Sequence, residues 1–132
     1  MEHEARKVLF VCTRNSARSQ LAAALWRQVS EIPSASAGTH PADRIARGAI
    51  EAARRHGLDL EDRPPRRLDQ PMLNPGLVVT VCDNAHEELA GRGDVHWSVP
   101  DPLRLNTDEA FEEAFVDLAS RITGFAPRVL AA

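Results

Sequence analysis

The stretch that decides the fold is Lys7-Val-Leu-Phe-Val-Cys12-Thr-Arg-Asn-Ser-Ala-Arg18-Ser19. Val8 to Val11 form a continuous apolar run, the pattern of a strand covered on both faces, and the chain turns polar just after Cys12. From about Arg18 to Val29, Leu21, Leu25 and Trp26 recur at helical spacing. Strand, loop and helix thus make the opening unit, and the unit repeats. Ser34 to Gly38 predicts a short strand, and Asp43 predicts the cap of a helix running to His56, with Gly57 where a helix end takes a left-handed residue. Leu77-Val-Val-Thr-Val-Cys82 is β-branched and apolar nearly throughout, as a central strand should be. A helical piece near His86 to Ala90 and a fourth strand at Asp94 to Ser98 follow. Asn106 with Glu109 three residues on predicts a capping box, opening a long helix whose buried face carries Phe111, Phe115, Leu118 and Ile122. Such alternation implies an α/β fold, a parallel sheet with helices on both faces and ligands at the carboxyl ends of its strands. Cys12 and Cys82 both fall at such ends.

With 132 residues, 43% hydrophobic and 27% charged, and a net charge of only -3, the chain has the composition of one globular domain spanning 1–132. No apolar run approaches the ~18 residues of a membrane span, and Met1 to Lys7, with Glu2 and Glu4, lacks the basic start of a signal peptide. The expectation is a cytoplasmic protein, a monomer or weak dimer. Residues 1–67 sum to +4 and residues 68–132 to -7, so the first half faces an anion better. Its arginines are scattered and form no stripe of the kind nucleic acids need, which points to a small anion. His3 sits in a segment that reads as a frayed tail. Glu61 to Pro75, with four prolines and Arg63, Arg66 and Arg67, reads as a structured loop. Cys12 and Cys82 are the only cysteines, without a CxxC or a zinc-spaced histidine pair, so neither a disulfide scaffold, a metal site nor a tightly bound cofactor is expected. The pair Cys82 and His86 alone is too few ligands for a metal.

Cys12-Thr-Arg-Asn-Ser-Ala-Arg18 sets a nucleophile five residues before an arginine. The spacing acquires meaning from its context. The cysteine ends a strand, the arginine opens a helix, and the backbone N–H groups of Thr13, Arg14, Asn15, Ser16, Ala17 and Arg18 can curl around one tetrahedral oxyanion. Such a nest should lower the Cys12 pKa toward a thiolate. Arg18 can fork two hydrogen bonds onto oxyanion oxygens. Asn15 tolerates a left-handed backbone, and Ser19 can donate to the sulfur.

Val8 to Gln20, Ser36-Ala-Gly-Thr39, Val81-Cys82-Asp83 and Pro100-Asp101-Pro102, in this order over nearly the whole chain, resemble the low-molecular-weight protein tyrosine phosphatase superfamily, and within it the arsenate reductase branch. The resemblance implies a flavodoxin-like three-layer sandwich, with a four-stranded parallel sheet in the order 2-1-3-4. It also implies Cys12 as nucleophile, residues 13–18 as the oxyanion loop and Asp101 as general acid, held between two prolines and with Asp83 in reserve. Phosphate, sulfate or arsenate can occupy such a loop.

A phosphatase would hydrolyse the cysteine adduct with water, whereas a reductase lets a second thiol attack it and release arsenite. Three features favour the reductase: the loop sequence, a cysteine ending the third strand, and Leu103 after Asp101-Pro102 in a chain with no tyrosine, where phosphotyrosine phosphatases carry aromatic walls. Thioredoxin-coupled reductases of this family carry a third cysteine past the second, and 83–92 contains none; Ala23 stands where their potassium site has an acidic residue. The chain therefore resembles relatives that borrow an external thiol, mycothiol with mycoredoxin or glutathione with glutaredoxin, or draw on thioredoxin. Cys82 is a resolving thiol or a buried structural one. The alternative is a phosphatase acting on phosphotyrosine or on small aryl or acyl phosphates. His40 is placed to line the mouth, Arg14 to raise its potential, Trp97 to brace the Asp101 loop and His56 to meet a helix C-terminus.

Overall fold

The computed structural model describes residues 2–60, 64–73 and 76–132. Strand β1 (His3–Ala5) leads into β2 (Val8–Cys12), the oxyanion loop and α1 (Arg18–Val29). Then follow β3 (Ser34–Gly38), α2 (Arg47–Arg55), α3 (Gln70–Leu73), β4 (Leu77–Thr80), α4 (Asp83–Leu89), β5 (Val95–His96) and α5 (Asp108–Phe125). A 3₁₀ turn at Ala126–Arg128 leads to β6 (Val129–Ala131). The main sheet has the order β3-β2-β4-β5, all parallel, which is 2-1-3-4 among its own strands. Every residue of β2 and β4 is buried, so the sheet is covered on both faces, the middle of three layers. α1, α2 and α5 pack together, with α1 lying on β2 and β3, while α4 rests on β2 and β4. Among the described residues no helix is long and apolar enough to cross a membrane.

The core follows from the apolar periodicity. Phe10 and Trp26 are completely buried and in ring contact at 6.0 Å. Phe111 closes over Gly48, where a Cβ would lie 2.3 Å from the ring, so α2 can approach α5 only because position 48 has no side chain. Trp97 packs on Phe10 at 6.1 Å and edge-on to Phe125 at 5.5 Å, fixing the segment that leads to Asp101.

Several expectations are corrected. His3 is not in a frayed tail: β1 pairs in parallel with β6, and His3 lies 5.6 Å from the ring of Phe125. Three-residue strands give too short a pattern to read, and this pairing is set by tertiary contact. Asp43 does not cap α2, which starts four residues later with Ala46 in the cap position and no side-chain cap. The cap of α5 is Thr107, whose hydroxyl accepts from the Ala110 N–H; Asn106 is left-handed at φ 54° and turns the chain into the cap. β4 ends at Thr80, and β5 is only Val95–His96; it begins after Asp94, whose carboxylate turns back onto the Val78 N–H at 2.8 Å. Of the Pro- and Arg-rich loop, Arg63 and Pro75 lie outside the described residues. Its described part forms α3 and a bridge from Arg67 to Gly38.

Candidate active site

Cys12 ends β2, and Cys82 follows the end of β4, the neighbouring strand of the sheet. Two thiols therefore arrive at one edge, both free and both buried. Between β2 and α1 the loop wraps inward, and the hydrogen bonds of its carbonyls show why. The carbonyls of Cys12, Thr13, Arg14 and Ser16 accept from the N–H groups of Thr39, His40, Ala42 and Ala46. The Asn15 carbonyl accepts from Gln20 Nε2 and that of Ala17 from the Leu21 N–H. In a trans peptide the N–H of the next residue points opposite to each carbonyl. With the carbonyls fastened outward, the N–H groups of residues 13–18 face inward, and that of Asn15 donates to Cys12 Sγ at 3.2 Å. Ala17 occupies the cap position of α1 without a side-chain cap, and the first-turn N–H of Ser19 is turned toward Cys12 Sγ, so the positive helix end faces the same space.

The outer wrap needs a close approach, which two residues permit. Asn15 is left-handed at φ 51°. Gly38 has no side chain, and a Cβ there would meet the Thr13 carbonyl oxygen at 2.6 Å. Asn15 is fully buried and spends its side chain on three neighbours: Nδ2 donates to Ser19 Oγ at 2.7 Å, while Oδ1 accepts from the Arg66 N–H at 3.0 Å and from Gln20 Nε2 at 3.3 Å. Because Ser19 Oγ accepts from Asn15, its own hydrogen is free for Cys12 Sγ, 2.9 Å away. The sulfur thus receives these two donors, with the Ser19 N–H also turned toward it.

The thiolate expected at Cys12 is nevertheless opposed. Burial, the largest influence, pushes the thiol above its ordinary value; Ser19, through its hydroxyl and its N–H, and then the charge of Arg18 pull the other way without overcoming it. The protonated thiol is the favoured form at neutral pH. With a folded pKa above the unfolded one, the group contributes stability that is fully present below the ordinary thiol value of about 8.5 and is lost as pH rises through the folded pKa. Alkylation of Cys12 by iodoacetamide, followed by mass spectrometry on a Cys82→Ser background, should therefore rise through an inflection above about pH 8.5. An inflection below neutrality would contradict this.

Arg18 is placed differently from the expected fork. Its Nη1 donates to the Val99 carbonyl at 2.8 Å and Nη2 stands 3.9 Å from Asp101 Oδ2, so the guanidinium ties the oxyanion loop to the segment carrying Asp101. Asp101 is half exposed, and its Oδ1 accepts from the Leu103 N–H at 3.0 Å. Thr13 Oγ1 accepts from Asn84 Nδ2 at 3.2 Å, leaving its hydrogen for Cys82 Sγ at 3.3 Å; Cys82 Sγ also caps α4 by accepting from the Ala85 N–H. Thr13, Arg14, Arg18, Cys82, Asp83 and Asp101 line one open pocket of about 530 Å³.

Asp83 is unsuited as a reserve acid. The Ser98 hydroxyl first, and then His96 at 2.9 Å, hold its carboxyl below the usual carboxylate range, so it is ionised. His40 pairs with Glu88 of α4 at 2.9 Å on the outer segment, and His56 ends α2, bonded to Glu112 and stacked 4.0 Å from Phe115. Among the described residues no group of three or more His, Cys, Asp or Glu could hold a metal ion. Sequence reasoning missed Gln20, Arg66, Asn84, His96 and Ser98. Gln20 stood in the quoted stretch, but the others act on partners distant in sequence, and only the arginines and prolines around Arg66 hinted at a structured loop.

A profile described as low molecular weight phosphotyrosine protein phosphatase matches residues 7–132. The chain is 30% identical over 131 residues to an arsenate reductase of Halalkalibacterium halodurans, covering 90% of this chain and 94% of that protein. Among solved structures, the tyrosine phosphatase Wzb of Escherichia coli K30 in complex with sulphate superposes with a TM-score of 0.82 at 24% identity, covering 93% and 97% of the two chains. An arsenate reductase of Archaeoglobus fulgidus superposes with a TM-score of 0.75 at 23% identity, covering 91% and 98%.

Proposed function

The chain belongs to the low molecular weight phosphotyrosine protein phosphatase family, and from that premise we propose that it is a thiol-dependent arsenate reductase. The observation that carries the reading is a buried free thiol inside an oxyanion nest, with a second thiol just past the end of the neighbouring strand, in a chain with no tyrosine to build an aromatic wall. Similarity to curated arsenate reductases along most of the chain supports it.

Arsenate enters the nest as a dianion and meets the inward N–H groups, the α1 N-terminus and Arg18. Cys12 Sγ attacks arsenic, forming an S–As bond. The thiol proton and the proton of the dianion leave with one arsenate oxygen as water, Asp101 being the acid on the pocket wall that relays the proton. An external thiol, mycothiol, glutathione or a redoxin, then attacks Cys12 Sγ. The S–As bonding pair stays with arsenic, which falls from the pentavalent to the trivalent state and departs as arsenite, while the two sulfurs are oxidised to a mixed disulfide. A second thiol attacks that disulfide, takes the first sulfur and returns Cys12 to its thiol. Such thiols are kept reduced in the cytoplasm, the compartment this reading assigns.

Intact mass spectrometry after a single turnover with arsenate tests the reading. With one equivalent of small thiol, Cys12 should gain the mass of that thiol less two hydrogens, and arsenite should appear in equal amount. A loss of two mass units without added thiol, absent in Cys82→Ser, would replace the external thiol by Cys82 as first attacker. No adduct and no arsenite, together with steady hydrolysis of an aryl phosphate, would overturn the reductase in favour of the phosphatase.

A further inference from the structure

Most charges at the pocket mouth have work in the first half-reaction. Arg18 and the N–H groups hold the oxyanion, and Asp101 handles the leaving oxygen. Asp83 has none, yet it is built in with care. His96 is held at both ring nitrogens, Nδ1 at 2.8 Å from Thr80 Oγ1 and Nε2 at 2.9 Å from Asp83 Oδ1, and His86 stacks on it at 4.1 Å. Ser98, close by, favours the charged form of the same carboxylate. The result is a carboxylate fixed in direction but 68% exposed, beside Cys82 on the wall of the pocket that Thr13, Arg14 and Arg18 of the oxyanion loop also line.

We propose that Asp83 is a specificity-determining residue for the thiol step, favouring a thiol that carries a cationic group near its sulfur over a neutral or anionic one. The inference rests on the reductase reading above. The bonds made and broken are those already described; only the substituent on the attacking sulfur meets Asp83. Once arsenic is bonded to Cys12, its oxygens engage the nest, so a thiolate approaches an anionic adduct with little positive charge left to attract it. A substituent cation that can face Asp83 offsets that repulsion, and a substituent anion adds to it. At about 6 Å in water, one fixed charge changes the encounter by a factor of about three in either direction. Arg14, the exposed cation on the same wall, acts oppositely on anionic and cationic thiols, but it acts on each thiol equally in wild type and in a variant at position 83, so it cancels in their quotient.

The test uses the full chain at saturating arsenate and measures the rate of arsenite formation per unit thiol with cysteamine, 2-mercaptoethanol and 3-mercaptopropionate. Dividing wild-type rates by those of Asp83→Asn removes the intrinsic reactivity of each thiol. The quotient should be about three for cysteamine, about one for mercaptoethanol and about one third for mercaptopropionate. Asp83→Glu should keep the wild-type order, and 1 M salt should flatten it. Equal quotients for all three thiols, at whatever value, overturn the inference, because a merely structural aspartate would change them together. If no thiol yields arsenite with the wild type, the reductase reading falls and takes this inference with it; arsenite formed at rates indifferent to Asp83→Asn sinks the inference alone.

Discussion

Cys12→Ser should lower arsenate reduction by at least about a thousandfold while leaving oxyanion binding within a few-fold of wild type. The two properties separate because they reside in different atoms. Binding belongs to Arg18 and to the inward N–H groups, whose direction is set by the carbonyls of residues 12–17 bonding outward, and the Cys12 side chain makes none of those carbonyl bonds. Turnover belongs to the sulfur, which serine replaces with a hydroxyl that is far less acidic and cannot form a disulfide. Serine also keeps a partner for the Ser19 hydroxyl and the Asn15 N–H, so no buried donor is orphaned. Calorimetric titration with arsenate or sulfate, beside a turnover assay, reads both. Retention of more than about a tenth of the rate would move the nucleophile elsewhere; loss of binding in a folded variant would mean that the sulfur, and not the backbone, grips the anion.

Asn15→Ala is the second large effect, expected to destabilise the protein by about 3–5 kcal/mol and to lower Tm by roughly 10–20 °C. Two costs combine. Alanine at φ 51° is strained by about 1–2 kcal/mol. Removing the amide also leaves the Arg66 N–H without its acceptor and lets the Ser19 hydroxyl rotate away from Cys12. Asn15→Gly separates the two, since glycine accepts the backbone but makes none of the bonds, and should be about 1 kcal/mol milder. Thermal unfolding measures stability, and the iodoacetamide profile of Cys12 reports whether Ser19 still donates. Equal stability of the two variants would mean that the left-handed backbone costs nothing here.

Those two residues also mark what can be read from sequence. β2, the oxyanion loop and α1 were legible because each follows from local rules: an apolar run, a nucleophile at its end, and helical periodicity from Arg18. The parallel sheet followed from the alternation and its order from the family resemblance, and Asn15 and Gly57 both proved left-handed. What stayed hidden depends on contacts made across the fold. Capping at Thr107 in place of Asn106 is a one-residue shift between two equally good capping side chains, decided by how the turn after Pro102 places the chain. The raised pKa of Cys12 was illegible for a related reason. The N–H donors could be counted from the sequence, but the depth of burial that outweighs them is a property of the packed molecule. The constancy of Asp83's charge likewise depends on His96 and Ser98, thirteen and fifteen residues away.

The outward fastening of the loop carbonyls bears on how such a site can change over generations. The grip on a tetrahedral anion is written in peptide groups, and those are the same whatever side chain each residue carries. Position 14 is exposed and 83 lies on the pocket wall, so both can be exchanged without loosening the grip. Positions 15 and 38 cannot, since one must turn left-handed and the other must stay bare. A lineage can therefore keep its anion cradle while trying new second reactants at the rim, water in one descendant and a thiol in another. A single inherited loop then serves hydrolysis and reduction alike.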